Sequence, residues 1–275
     1  MTIEHAGGEQ VHVVESGPAD GPPLLLASGL GGAWFDWDPT VDLLDQDHRV
    51  VVFDFPGLGR SPAAHAPPSL RRNVRIMADL AARVGPPVTL LAHSMGAFPA
   101  EALARLRPDL LNGLVLVDPS HERSPSGLRL SAGLAPFARA LGLVLDATRL
   151  ARVTGPALRR LVLHFTSDGE DRVPARTVRQ VYGRGTVLAT VLIENFAYGE
   201  MAADLHALRD RRPFPDLPLV VLTALGDGGP SWAEGHRGLA ALSPRGRQVV
   251  LPRAKHMLQL DRPDVIAAAV AEVLA

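Results

Sequence analysis

Short apolar runs recur along the chain at intervals that leave room for a helix between them. Residues 24–27, 49–53, 88–91, 113–117, 219–223 and 248–251 are almost continuously apolar, and runs of that length without alternation belong to strands buried on both faces. Between them lie stretches with helical spacing: residues 40–44 behind Pro39, residues 70–84, residues 97–106 with Pro99 near the start, and residues 263–274 opened by Pro263. Residues 2–15 instead alternate loosely about Gly7-Gly8, which predicts an antiparallel hairpin at a sheet edge. Strands alternating with helices predict an α/β fold whose mainly parallel sheet is covered on both sides.

The rhythm breaks between residues 120 and 199. No strand candidate stands out there, and arginine, leucine and alanine recur at helical spacing in residues 136–150 and 156–164. This predicts a helical cap, residues 120–199, inserted into a core formed by residues 1–119 and 200–275. Its arginines read as a solvated helical face.

Composition narrows the chemistry. The 275 residues are 47% hydrophobic and 21% charged, the balance of a globular protein. The absence of cysteine excludes disulfides, thiolate metal sites and a cysteine nucleophile. A formal net charge of -1 gives no electrostatic reason to expect nucleic acid or a membrane as partner. No apolar run is long enough to span a bilayer, and residues 1–10 do not read as a targeting peptide, so a cytoplasmic location is expected. Lys255 is the sole lysine, so any Schiff-base chemistry would rest on it alone.

Candidate chemistry collects where strands end. The loop Ser28-Gly29-Leu30-Gly31-Gly32 fails the dinucleotide fingerprint, which would need glycine where Trp34 stands, and it lacks the lysine of a phosphate-binding loop. What remains is a loop offering backbone N–H groups to an anion, or a plain turn. Trp34, Phe35 and Trp37 follow it and suit either core packing or an apolar pocket wall. The strand at 88–91 runs into Ala92-His93-Ser94-Met95-Gly96, a nucleophile elbow with alanine for the first glycine. An isolated helix-capping serine is the simpler reading of such a pentapeptide, but the strand before it and the helix after it favour the elbow.

Taken together the segments resemble the α/β-hydrolase fold enzymes with an inserted helical cap. The resemblance rests on the loop at 28–32, on Asp54-x-Pro56-Gly57-x-Gly59-x-Ser61, on the elbow at Ser94, and on Asp227 with His256 and the residues to Pro263. It implies an eight-stranded, mostly parallel sheet, with Ser94 as nucleophile, His256 as general base and acid, and Asp227 as the carboxylate that orients the imidazole. Asp118 also ends a strand and is the rival for that last role. The resemblance further implies an oxyanion hole made by the N–H groups of Leu30 and Met95. Ser28 stands where the family usually has histidine.

Gly29, Trp34, His93 and His121 are candidate pocket residues, although packing is the simpler role for His93 and His121. The implied activity is hydrolysis of an ester-like bond of a small molecule through an acyl-enzyme, without a cofactor. C–C hydrolase, lactonase, thioesterase, aminopeptidase and cofactor-free perhydrolase or haloperoxidase chemistry stay open, as does a non-catalytic binder of the same fold. Oligomeric state is not expressed in the pattern.

Overall fold

A computed structural model describes residues 1–64, 66–122 and 128–275. The hairpin expected at the start is β1 (Thr2–Ala6) and β2 (Glu9–Ser16), turning on Gly7 and Gly8, both at positive φ. The apolar runs become β3 (Pro23–Ala27), β4 (Arg49–Phe53), β5 (Val88–His93), β6 (Leu111–Val117), β7 (Leu219–Ala224) and β8 (Gly246–Leu251). They form one eight-stranded sheet in the order β1-β2-β4-β3-β5-β6-β7-β8. The six strands β3 to β8 are parallel, and at one edge β2 runs against them, with β1 in turn antiparallel to β2. Every residue of β5 and β7 is buried, as continuous hydrophobicity requires.

The flanking helices are α1 (Asp38–Leu44), α2 (Leu70–Val84) and α3 (Ala97–Leu106). Local chemistry sets their ends. The side chain of Ser69 accepts a hydrogen bond from the N–H of Arg72 at the start of α2, and Gly85, at φ +110°, ends it.

Among the described residues, four helices then separate β6 from β7: α4 (Ser131–Ala147), α5 (Ala151–Thr166), α6 (Ala175–Tyr182) and α7 (Gly185–Arg209). The two expected segments begin a turn earlier than their prolines, since Pro136 and Pro156 lie inside α4 and α5. Each proline removes one rung of the ladder, while the other turns continue it. The expected boundary at residue 199 is corrected: α7 crosses it unbroken, because Met201, Ala202 and Leu205 continue the buried face set up by Ile193 and Ala197. At the other boundary, residues 123–127 lie outside the described residues. The chain closes with α8 (Pro230–Ala240), the short α9 (Leu258–Asp261) and α10 (Pro263–Leu274).

The long helix α7 lies across the carboxyl ends of β3 and β4. A Cβ added to Gly31 would stand 3.1 Å from the Val191 side chain, and one added to Gly57 2.5 Å from that of Thr190. Only glycine lets the two loops pass so close beneath the cap. Among the described residues no helix is long and apolar enough to cross a membrane.

Candidate active site

Ser94 follows β5 directly and adopts φ +50°, a left-handed conformation that costs a residue with a side chain roughly 1–3 kcal/mol. Close packing holds it there. A Cβ on Gly96 would come within 2.7 Å of the Ser28 carbonyl oxygen, and a Cβ on Gly29 within 2.7 Å of the Ser94 Cβ, so the elbow and the glycine loop touch through their small residues. The elbow tolerates Ala92 because its place is wholly buried within β5. Ser28 is also buried, and its hydroxyl accepts a hydrogen bond from the Trp37 indole at 3.0 Å. The serine that departs from the usual histidine is therefore built into the loop by a specific partner.

The imidazole of His256 meets Asp118, not Asp227. His256 Nδ1 lies 2.6 Å from Asp118 Oδ2, and the Asp118 side chain is almost fully buried while that of His256 is a quarter exposed. The second carboxylate oxygen of Asp118 accepts from the Ala224 N–H at 2.8 Å and from the Trp232 indole at 3.0 Å. Burial pushes this carboxyl up, but its bond to His256, the charge of that ring and the two other donors outweigh burial and hold it below the ordinary value. An ionised carboxylate can only accept, so Nδ1 carries the proton and Nε2 is the basic nitrogen.

Asp227 is exposed, and its carboxylate accepts the backbone N–H of His256 at 3.1 Å. The expectation for Asp227 is thus corrected. It steadies the histidine's loop rather than its ring. The reason lies in strand order: β6 stands next to β5, so the residue leaving β6 comes up beside the elbow, whereas β7 is one strand further away. The Ser120 N–H, two residues past Asp118, donates to the Ser94 carbonyl at 3.0 Å and joins the two strand ends. Asp118 itself sits at φ +40°.

Buried histidines brace this arrangement. His93 Nε2 lies 3.1 Å from the His256 carbonyl oxygen, and the two rings are 4.6 Å apart. A carbonyl only accepts, so Nε2 bears hydrogen and Nδ1 is left to accept from Gln259 at 3.3 Å. Burial, reinforced by the neighbouring His256, lowers His93 to about 3, which keeps it neutral. His93 is therefore a packing and positioning residue, and its expected place in the pocket wall is corrected. His236, fully buried, donates from Nε2 to the Pro119 carbonyl at 2.8 Å and pairs through Nδ1 with the Thr223 hydroxyl at 3.0 Å. It fixes the turn that carries Asp118.

Trp34 is likewise corrected from pocket wall to core. It is buried edge-on against His12 and Phe35, with the Arg60 guanidinium 4.7 Å above its ring. Its backbone N–H donates to Asp54, whose carboxylate also accepts the backbone N–H of Arg60 and meets His12 Nδ1 at 2.7 Å. Asp54 thus holds the loop together by its buried hydrogen bonds. His121 lies against α8, where a Cβ on Gly235 would meet its ring at 2.5 Å.

The cap reaches the glycine loop directly. The Gly31 N–H donates to Glu194 Oε2 at 2.9 Å, and the Gly31 carbonyl accepts from the Tyr182 hydroxyl at 2.9 Å. Both peptide groups flanking Gly31, the residue after Leu30, are therefore held by cap side chains. Arg159, paired with Asp36 at 2.8 Å and Asp171 at 3.0 Å, also bonds the Tyr182 hydroxyl and ties this contact to the core. No motif in the sequence points to Glu194 or Tyr182, because their partners are backbone atoms more than 150 positions away. A cavity of about 400 Å³ lies between the loop after β4, α4 and α7, with Pro56, Pro67, Arg72, Arg139, Ala189 and Ile193 among its walls.

The model of the Alpha/beta hydrolase family matches residues 24–269. A protein of Pseudomonas syringae pv. syringae named as a carbamate hydrolase, RutD, is 32% identical over 151 residues, which are 51% of this chain and 58% of that relative. The chain thus matches little more than half the length of that protein. The (E)-2-((N-methylformamido)methylene)succinate hydrolase of Acinetobacter baylyi is 24% identical over 267 residues, covering 96% of this chain and 94% of its own. Among solved structures, Cfl2 from Burkholderia cenocepacia superposes with a TM-score of 0.77 at 20% identity, over 99% of this chain and 95% of that one, a likeness of fold. With a family model spanning the sheet from β3 to α10, and a serine elbow, a strand-end carboxylate and a late histidine set along that sheet, the chain belongs to the α/β-hydrolase family.

Proposed function

We propose that the protein hydrolyses an acyl C–O or C–N bond of a small molecule, with Ser94 as nucleophile, His256 as base and Asp118 as the orienting carboxylate. The observation that carries this reading is the 2.6 Å contact between His256 Nδ1 and buried Asp118, on the same sheet rim as a serine in left-handed conformation. That contact leaves Nε2 as the proton acceptor, which is what a serine hydroxyl needs near neutral pH.

In this mechanism His256 Nε2 takes the Ser94 proton as the hydroxyl oxygen bonds to the acyl carbon. The resulting oxyanion is held by the N–H groups of Met95 and Leu30, each worth on the order of 3 kcal/mol. The imidazolium then protonates the leaving oxygen or nitrogen as its bond to carbon breaks. Water, deprotonated by the same ring, attacks the acyl-enzyme, releases the acid and restores the serine. The relatives' names, a carbamate hydrolase and an N-methylformamido-succinate hydrolase, widen the expected substrates from esters to carbamates and amides.

Labelling with a fluorophosphonate tests the reading. The expected outcome is one covalent adduct on Ser94, absent in Ser94→Ala, together with turnover of a panel of small esters, carbamates and N-acyl compounds. Folded protein that neither labels nor turns over any of them refutes it in favour of a binding protein.

A further inference from the structure

The first two cap helices are packed inside out. Toward the core α4 buries small residues, Ala135, Ala138 and Gly142, and α5 buries Ala151 and Gly155 together with Arg159 and a single large apolar side chain, Leu163. Large apolar side chains point the other way. Phe137, Leu141 and Val144 on α4, and Leu158, Val162 and Phe165 on α5, follow the same i, i+4, i+7 spacing, and each leaves between 48% and 73% of its surface in solvent. A helix normally turns such a stripe inward, so these two carry an apolar face that the fold does not cover.

The charge on these two helices is mostly positive. Among residues 131–166, leaving aside Arg139, which turns to the cavity and the Ala64 carbonyl, the exposed charged side chains are Arg149, Arg152 and Arg160 against a single acid, Asp146, and Asp146 is engaged with the N–H of Gly185. The formal net charge of -1 for the whole chain hides this asymmetry. A second copy of the chain would bring arginines against arginines across the apolar contact. A surface of anionic phospholipid offers hydrocarbon to the phenylalanines and phosphates to the guanidinium groups, whose aliphatic stems span the boundary between the two.

We propose that α4 and α5 dock the protein on an anionic lipid surface, with Phe137 and Phe165 entering the acyl region and the arginines lying at headgroup level. This inference does not depend on the proposed reaction, since it concerns the outer side of the cap.

Sedimentation of the full chain with phosphatidylglycerol-rich vesicles, and with pure phosphatidylcholine vesicles, tests it. The expected result is binding to the anionic vesicles that weakens as salt is raised. Partitioning should fall about tenfold or more in the double variant Phe137→Ser/Phe165→Ser, and several-fold in Arg149→Gln/Arg152→Gln. Unfolding transitions of both variants should match the parent, because the exchanged side chains are exposed. No sedimentation with anionic vesicles overturns the proposal. So does binding indifferent to both double variants, or a stable dimer in solution that Phe137→Ser/Phe165→Ser dissociates.

Discussion

Replacing Glu194 with glutamine isolates the electrostatic cost of the contact by which α7 holds the glycine loop at Gly31. Glu194 is buried, and burial raises its carboxyl from the ordinary 4.5 to about 7, against the opposing pull of the Gly31 N–H and of Arg72. The folded state therefore holds the proton more tightly than the unfolded chain. Its contribution is fully present below pH 4.5 and is lost as the pH rises through about 7. Moving a carboxyl over that interval is worth on the order of 3 kcal/mol. Glutamine keeps an oxygen for the Gly31 N–H but cannot ionise. Glu194→Gln should match the parent in urea unfolding at pH 4.5 and become more stable by about 3 kcal/mol at pH 8.5, or roughly 5 °C in Tm for a chain of this size. Stability curves that stay parallel from pH 4.5 to 8.5 would show that Glu194 does not titrate across this range in the fold, and the argument from burial would fail.

Two further outcomes concern the site. Asp118→Asn should lower kcat about 10³- to 10⁴-fold by removing the acceptor that sets the His256 tautomer, whereas Asp227→Asn should cost less than about tenfold. Steady-state turnover of an activated ester checks this, and the reverse order would return the orienting role to Asp227. Gly29→Ala would place a methyl 2.7 Å from the Ser94 Cβ and 3.2 Å from His93 Nδ1. It should cut kcat about 10²-fold by displacing Ser94 or the loop, and lower stability by about 1–3 kcal/mol in urea unfolding; undiminished turnover would mean that the loop and the elbow do not depend on each other's position.

Much of the fold was legible because burial on both faces leaves a direct mark on composition. The continuous apolar runs became β3 to β8, the glycine-broken alternation became the hairpin β1-β2, and residues 70–84 became α2 with Ser69 and Gly85 as its ends. The elbow was legible for a related reason, since a serine forced into left-handed backbone needs small neighbours, and Ala92 and Gly96 stand two positions either side of Ser94. Those features are written in residues close together along the chain.

The choice between Asp118 and Asp227 was written in nothing local. Both follow an apolar strand, and the outcome turned on β6 lying beside β5, which brings Asp118 to the imidazole and leaves Asp227 to the backbone behind it. Trp34 and His93 were left open in the same way: an aromatic near a strand end suits a pocket or a core, and only their neighbours Phe35, Arg60 and Gln259 decide for packing. The cap shows the reverse case. Its helices were expected from spacing alone, but which stripe of each faces the core depended on Gly142 meeting Gly185 and Gly155 meeting Tyr182. Periodicity records that a helix has a large apolar stripe, whereas the side from which a neighbouring backbone approaches closely is a property of the assembled chain.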